Sequence, residues 1–172
     1  NENEQTLMIQ FEENIFSIYS LKERDYIKEK INILKKGEIA QNYSLSPEGN
    51  KIAILTESQN NGLMYYKLYI YDITTEEMNL INSYSYDGLT RNRNRSLTYV
   101  DEKYLTVQMW GKGFNICDLI DIKSKKITDL RGGVSNVSIQ PKIFNNTSFA
   151  VSGDVEGELS IARYPFGNFK RL

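Results

Sequence analysis

The sequence predicts an all-β protein built from short antiparallel strands. Ten apolar segments of five to eight residues, rich in Ile, Val, Tyr, Phe and Thr, are separated by Gly, Asn, Asp or Pro along 172 residues. Hydrophobic residues make up 40% of the chain, which is enough to bury a core without a metal or a disulfide. The strand pattern also repeats, and the repeat indicates the architecture.

One stretch fits either a helix or a strand. The spacing of the apolar residues between Leu21 and Leu34 fits the period of a helix as well as that of a strand, because residues 26–34 alternate only imperfectly. We interpret the second half of this stretch as a strand.

The clearest repeat is a strand, a tight polar turn and a second strand. The segment "YDITTEEMNLI", which begins at Tyr71, matches "IDIKSKKITDL", which begins 49 residues later at Ile120. Weaker copies begin at Tyr19 and Ala162. Each copy has the pattern of an antiparallel hairpin.

A second repeat lies upstream of the first. The segment "SLSPEGNKIAIL" from Ser44 matches "SLTYVDEKYLTV" from Ser96, an offset of 52 residues, and a third version begins at Ser138. Together the two repeats describe a unit of four antiparallel strands. Units of about 40 to 50 residues with four strands are typical of β-propeller blades.

We place blade units at residues 6–38, 39–85, 94–131 and 134–172 of a single domain that spans residues 1–172. The first unit has room for three strands and lacks the inner-strand motif, so the chain holds about three and a half to four blades. Closed propellers have about four to eight blades. Either the first unit completes a small four-bladed ring, or the chain is part of a larger ring. We favour a segment of a larger ring, and a homodimer that completes one ring is a distinct hypothesis.

The repeat resembles that of the TolB-type, WD40-like β-propeller family. The matching positions are a small-residue, Pro and Gly turn, an Ile-Ala strand, and a later strand that ends in an aromatic residue and Asp: Ser46, Pro47, Glu48, Gly49, Lys51, Ile52, Ala53, Tyr71 and Asp72. This chain has Glu48 where the family usually has Asp, and Asn50 is inserted. The resemblance implies a propeller fold and leaves the function open, since the family includes scaffolds, members of periplasmic complexes and non-catalytic domains of peptidases.

Four residues have turn chemistry. Pro47 presets φ at the first central position of a turn, and Gly49 tolerates positive φ. Asp72 and Asp121 each precede a four-residue polar turn, where a carboxylate can accept backbone N–H groups. We interpret all four as structural residues, and not as metal ligands.

Composition excludes several classes of function. Lysine and arginine number 21 against 22 acidic residues, so no overall field attracts nucleic acid, and no segment is apolar enough to span a membrane. The chain has no histidine, which removes His-based catalysis and His metal ligands. Its one cysteine, Cys117, lies in an apolar run typical of a small buried hydrophobe. We expect no cofactor, no metal and no catalytic residue.

Two segments are candidates for binding. In the first, Arg91, Arg93 and Arg95 alternate with asparagines, which would place three guanidinium groups on one side of an extended chain and attract an anionic ligand. The alternative is a solvated loop.

The second segment is "WGKGF", in which Trp110 and Phe114 flank a hairpin tip that contains Lys112. An exposed Trp there could anchor a partner. The alternative is that these aromatic side chains pack between blades.

These observations favour a non-catalytic binding or assembly module that contacts a protein partner or another propeller segment. Two alternatives stay open: the propeller domain of a larger enzyme of peptidase type, and an extracellular sensor of a small molecule or glycan. Because the sequence begins without Met, we expect a mature form that is exported or lipid-anchored in a bacterium and has lost a leader. A cytoplasmic location stays open.

Overall fold

The computed structural model describes residues 6–12, 14–87, 94–111, 114–129, 137–144, 148–153, 159–163 and 170–171. These residues form strands and turns, and none of them is helical. The strands are β1 (Thr6–Glu12), β2 (Ile15–Ser20), β3 (Asp25–Ile31), β4 (Ile39–Leu45), β5 (Lys51–Asn60), β6 (Leu63–Asp72), β7 (Met78–Asp87), β8 (Asn94–Tyr99), β9 (Tyr104–Gly111), β10 (Phe114–Asp121), β11 (Ile127–Asp129), β12 (Val137–Phe144), β13 (Ser148–Gly153), β14 (Leu159–Arg163) and β15 (Lys170–Arg171). The all-β class predicted from the sequence is confirmed.

The strands form four antiparallel sheets in which sequence neighbours pair. The first sheet has the order β1-β2-β3, and the others have the orders β4-β5-β6-β7, β8-β9-β10-β11 and β12-β13-β14-β15. The chain divides into two compact units, Asn1–Leu89 and Thr90–Leu172, each of which contains two of these sheets. A four-stranded sheet that follows the sequence order is the topology of a propeller blade.

The core of the first unit lies between its two sheets. Phe16, Ile18 and Ile31 of the first sheet are buried in one cluster with four residues of the second sheet, namely Ile52, Ile54, Tyr71 and Ile73. The alternation of β2 and β5 explains this packing, because every second side chain of a strand points to the same face. The first two sheets are therefore held together mainly by apolar contact.

The central strands of the second sheet are buried on both faces. Ala53, Leu55 and Leu68 point away from the core cluster, since they alternate with its members along β5 and β6, and all three are fully buried. Strands with two buried faces carry nearly continuous apolar runs. The segment "KIAIL" follows this rule, which is why it gave a strong strand signal.

The third sheet repeats this arrangement in the second unit. Leu105, Val107 and Met109 of β9 are completely buried, and Leu105 lies opposite Ile120 of β10. Cys117 is 1% exposed, which agrees with its interpretation as a buried hydrophobe.

The last hairpin of the first three sheets has the same turn. Arg24, Glu76 and Lys125 adopt φ values of 56°, 62° and 57°, in the left-handed region that L-residues rarely occupy. These residues lie 52 (76 − 24) and 49 (125 − 76) positions apart, which are the offsets of the sequence repeat. The repeat is therefore a structural one, set by a shared backbone geometry.

Residues 21–34, whose spacing fitted either a helix or a strand, contain a turn and the strand β3. Its imperfect alternation has a structural cause, because the pairing of β2 with β3 shifts register near Ile18 and Lys30 has a φ of 52°. The N–H of Lys30 donates to Ser17 Oγ over 3.0 Å. An irregular outer strand of this kind resists pairing with other chains.

Candidate functional site

A polar cluster lies between the two sheets of the first unit, at the start of β4. Its centre is Glu38, which is only 5% exposed and whose N–H donates to the carbonyl of Lys35 over 3.0 Å. Glu38 Oε1 accepts hydrogen bonds from Lys67 Nζ at 2.6 Å and from Tyr69 Oη at 3.1 Å. Glu38 Oε2 is buried and has no hydrogen-bond partner among the residues that the structure describes.

The strand β6 brings the two donors together. Lys67 and Tyr69 are two residues apart, so both point to the face that carries Tyr71 and the core cluster. Lys67 lies opposite Thr56 of β5, and Tyr69 lies opposite Ile54 of β5. Both residues therefore lie beside the beginning of β4, which follows Glu38 directly. The alternation of β6 thus supplies two donors to one buried carboxylate.

Electrostatics keeps both donors protonated. The hydrogen bond that Lys67 donates to the Glu38 carboxylate raises the pKa of Lys67 above its ordinary value. Burial raises the pKa of the Tyr69 hydroxyl, and the negative charge of Glu38 raises it further. At neutral pH the cluster is therefore one ion pair with an additional neutral donor.

Asn14 ties this cluster to the first sheet. Its Nδ2 donates to the carbonyl of Glu38 over 3.1 Å, and its Oδ1 accepts the N–H of Ala40 over 2.8 Å. Asn14 follows β1 in a left-handed conformation with φ 69°, which asparagine tolerates better than most residues. The cluster of Asn14, Glu38, Lys67 and Tyr69, here called the inter-sheet cluster, therefore links the β1–β2 turn to the second sheet.

Asp72 and Asp121 lie where the sequence placed them, at the start of equivalent turns. Asp72 Oδ1 accepts the N–H groups of Thr74 and Thr75 at 2.9 and 3.0 Å. Asp121 Oδ1 accepts the N–H of Ser124 at 2.9 Å. These backbone donors hold the pKa of each carboxyl below its ordinary value.

Pro47 and Gly49 lie in the turn between β4 and β5. The N–H of Gly49 donates to the carbonyl of Ser46 over 2.9 Å, which puts Pro47 at the first central position of a four-residue turn. Gly49 has a φ of 74°. The inserted Asn50 is part of the same structure, since its carbonyl accepts the N–H of Ile73 at 2.9 Å.

The candidate binding residues lie partly outside the described residues. This applies to Arg91, Arg93 and Lys112. Arg95 lies in β8 opposite Met109, so it belongs to a paired strand. Trp110 in β9 and Phe114 in β10 lie next to the hairpin that joins these strands, and Gly111 pairs with Phe114. Their binding role stays a prediction.

The inter-sheet cluster was missed by the sequence reasoning. Lys67 and Tyr69 share a face of a strand that the sequence predicted, but Glu38 precedes a polar strand with no strong signal. Within the described residues no group of three or more His, Cys, Asp or Glu side chains could hold a metal ion, and no helix is long and apolar enough to cross a membrane.

Comparison with known proteins identifies the fold of this chain but does not assign the chain to a family. No family model matches the chain, and no curated protein matches it significantly. Among solved structures it is similar to oligogalacturonate lyase from Vibrio parahaemolyticus, with a TM-score of 0.66 and 9% identity over 96% of this chain and 49% of the other.

Two further structures are β-propeller domains. The propeller of the Trilobed protease from Pyrococcus furiosus has a TM-score of 0.58 and 15% identity over 93% of this chain and 48% of the other. The propeller of Nup133 from Vanderwaltozyma polyspora has a TM-score of 0.58 and 15% identity over 94% and 52%. The predicted β-propeller fold is confirmed, and this chain spans about half the length of the structures it resembles.

Proposed function

We propose that the chain is a propeller segment that binds or assembles with another protein and has no catalytic centre of its own. The observation that carries this proposal is the structural role of the buried carboxylate of Glu38. A general acid or base must reach a substrate within hydrogen-bond distance. Glu38 is 5% exposed, and one of its carboxylate oxygens accepts hydrogen bonds from Lys67 and Tyr69, which hold the residue before β4 to β6.

The other described carboxylates with strong hydrogen bonds support the same proposal. Asp72 and Asp121 are bound by the backbone of their own turns, so their hydrogen bonds stabilise the hairpins. Propeller folds host many unrelated functions, which makes the surface loops the place where a partner is chosen. The proposed contacts are the arginines of residues 91–95 and the aromatic hairpin of residues 110–114.

A second candidate is the propeller domain of a larger enzyme. It is favoured by the likeness to the propeller domain of the Trilobed protease and by the half-length coverage of that structure. In this case the reading frame continues into a catalytic domain, and a purified protein that contains the domain cleaves peptides. If the longer protein contains only further blades, this candidate fails.

The test of the proposed function is partner capture by the longest natural protein that contains this chain. The triple variant Arg91→Ala/Arg93→Ala/Arg95→Ala should lose a partner that crosslinks to the unmodified protein. The matched control removes three exposed lysines from another turn: Lys123→Ala/Lys125→Ala/Lys126→Ala. Equal capture by both triple variants would count against the arginine contact, and a catalytic activity in the purified 172-residue chain would contradict the proposed function.

The location of the protein is a further part of the proposal. We infer an exported or surface-anchored protein, because the repeat resembles that of the TolB-type family, which includes members of periplasmic complexes. Cell fractionation with an antibody to the chain tests this point. Recovery in the cytoplasmic fraction alone would contradict it.

A further inference from the structure

The turn between β5 and β6 consists of two residues, Asn61 and Gly62. Asn60 at the end of β5 pairs with Leu63 at the start of β6, so only these two residues lie outside the ladder. Both have a positive φ, 50° at Asn61 and 81° at Gly62. Two positive φ values in a two-residue loop are the mark of a type I′ turn, for which Asn-Gly is a preferred sequence.

Asn-Gly is also a dipeptide in which an asparagine side chain can react with its own backbone. The nitrogen of the following residue can attack Cγ of the asparagine, because the attack is intramolecular and closes a five-membered ring. A following glycine has no side chain to obstruct this attack. In this sequence an asparagine precedes a glycine only at residues 61 and 62.

The two residues are accessible in the folded chain. Asn61 and Gly62 are both exposed, and a Cβ built on Gly62 would meet no atom within 4 Å. Other turn asparagines are held by their side chains: Asn14 bonds to the backbone of the next sheet, and Asn50 Oδ1 accepts a hydrogen bond from Ser46 Oγ. The side chain of Asn61 has no such bond to the described residues, so it is free to turn towards the backbone.

The turn type allows the ring to form without separating the strands. Closing the ring brings Cβ of Asn61 close to the plane of the next peptide group, which for an L-residue means the ψ of about −120° found at the first central position of a type II′ turn. That position also has a φ of about 60°, close to the 50° that Asn61 already has. The change from type I′ to type II′ rotates one peptide group, and both turns fit a two-residue hairpin. Gly62 can follow because glycine adopts either sign of φ.

We propose that Asn61 is a site of spontaneous self-modification in the folded protein. The backbone nitrogen of Gly62 attacks Cγ of Asn61, a C–N bond forms, and the bond from Cγ to Nδ2 breaks. The proton that the Gly62 nitrogen loses balances the one with which Nδ2 leaves as ammonia. One water molecule then opens the cyclic imide at either of its two C–N bonds, which gives aspartate or isoaspartate.

The products change the hairpin in two ways. Each replaces a neutral amide by a carboxylate, which takes the formal net charge of the chain from −1 to −2 (−1 − 1). In isoaspartate the backbone also runs through Cγ, so the two-residue loop gains one carbon atom beside a ladder of ten residue pairs. The modification therefore records the age of the molecule at the tip of its longest hairpin among the described strands, and it does not depend on the proposed function.

The test compares the rate of modification in the folded chain with the rate in the same chain unfolded in guanidinium chloride, both at mildly alkaline pH. Trypsin releases residues 52–67, and mass spectrometry of this peptide detects the loss of ammonia and then the gain of water, with fragmentation to assign the residue. The internal control is Asn82, which precedes the small residue Ser83 and pairs with Leu68 inside the ladder of β6 and β7. Its strand must open before the ring can form.

We expect the rate at Asn61 to agree within about threefold between the folded and the unfolded chain, because an exposed turn opens at little cost. The rate at Asn82 should be about tenfold or more lower in the folded chain than in the unfolded chain. Chromatography should resolve the modified peptide 52–67 into two species of equal mass. The variant Asn61→Asp identifies which of them contains aspartate and which contains isoaspartate.

The matched control variant is Asn61→Gly/Gly62→Asn, which keeps the composition and the charge of the turn. Its asparagine precedes Leu63, which has a bulky side chain and is paired with Asn60. We expect modification at the tip to fall by about tenfold or more. If this variant does not fold, the comparison of Asn61 with Asn82 in the unmodified sequence still decides the question.

Two results would overturn the inference. One is the absence of modification at Asn61 in the folded chain over a time in which the unfolded chain reacts. The other is a fall in rate on folding that is as large at Asn61 as at Asn82, which would mean that the hairpin protects its tip. Neither result bears on partner capture through the arginine segment, so the proposed function is tested separately.

Discussion

The replacement Glu38→Gln tests the inter-sheet cluster most sharply. Gln keeps the size of the side chain and an oxygen acceptor, but it removes the negative charge that Lys67 and Tyr69 face. Hydrogen bonds to charged groups contribute about 1.5 to 3 kcal/mol each to stability. Because the Lys67 side chain is 32% exposed and can regain water, we expect a loss near the lower end of this range, about 1.5 kcal/mol in the free energy of unfolding.

The larger change Glu38→Ala should cost more. It also leaves the buried hydroxyl of Tyr69 without its acceptor, which adds about 1 to 3 kcal/mol. The measurement is equilibrium unfolding in urea, followed by circular dichroism, for the two variants and the unmodified chain. The slope of the transition should stay constant if only stability changes.

Glu76→Gln is the matched control. Glu76 also pairs with a lysine, Lys28 of the neighbouring sheet, but the Glu76 side chain is 68% exposed. An exposed pair contributes about 0 to 1 kcal/mol, so this variant should unfold nearly as the unmodified chain does. If Glu38→Gln costs no more than Glu76→Gln, the buried pair does not stabilise the chain and our reasoning about the cluster is wrong.

Three further predictions concern the turns and the cysteine. Asp72→Asn should destabilise the chain more at pH 7 than at pH 3. The folded pKa of Asp72 lies below the ordinary value of about 4, so the stabilisation is complete above that value and is lost as the pH falls through the folded pKa. An equal loss at both pH values in urea unfolding would contradict this prediction. Lys125→Gly should stabilise the chain by about 0.5 to 1 kcal/mol, because residue 125 has a φ of 57°, which glycine tolerates better than lysine. Lys126→Gly should destabilise the chain instead. If both variants shift the melting temperature in the same direction, the left-handed conformation does not strain Lys125. Cys117 is 1% exposed, so it should react with a thiol reagent only when the chain unfolds. Fast labelling of the native chain would contradict the burial of Cys117 in the third sheet.

Much of the fold could be predicted because its signals are local. The polar turns after Asp72 and Asp121 recur at the spacing of the repeat, and the apolar run of β5 is buried on both faces. The absence of an inner-strand motif before β2 agreed with the three strands of the first sheet. Local backbone chemistry and hydrophobic burial thus determined the repeat unit.

The strands and contacts that the sequence did not reveal depend on tertiary structure. The strand β4 reads "IAQNYSL", and its polar residues give a weak strand signal although all of its residues except Gln41 are paired in register with β5. The inter-sheet cluster joins Glu38 to Lys67 across 29 residues, a contact that forms only once β4 and β6 belong to one sheet. The arginine and tryptophan segments stay predictions that binding experiments must test.

Hydrogen exchange by NMR along β5 and β7 tests the central claim most directly, because it reads an inner and an outer strand of one sheet one amide at a time. We expect consecutive amides of residues 52–57 in β5 to be protected, since this stretch pairs with β4 on one side and with β6 on the other. Alternate amides of β7, which pairs only with β6 among the described strands, should exchange faster. Uniform protection along β7, or alternating protection along residues 52–57, would contradict the blade arrangement.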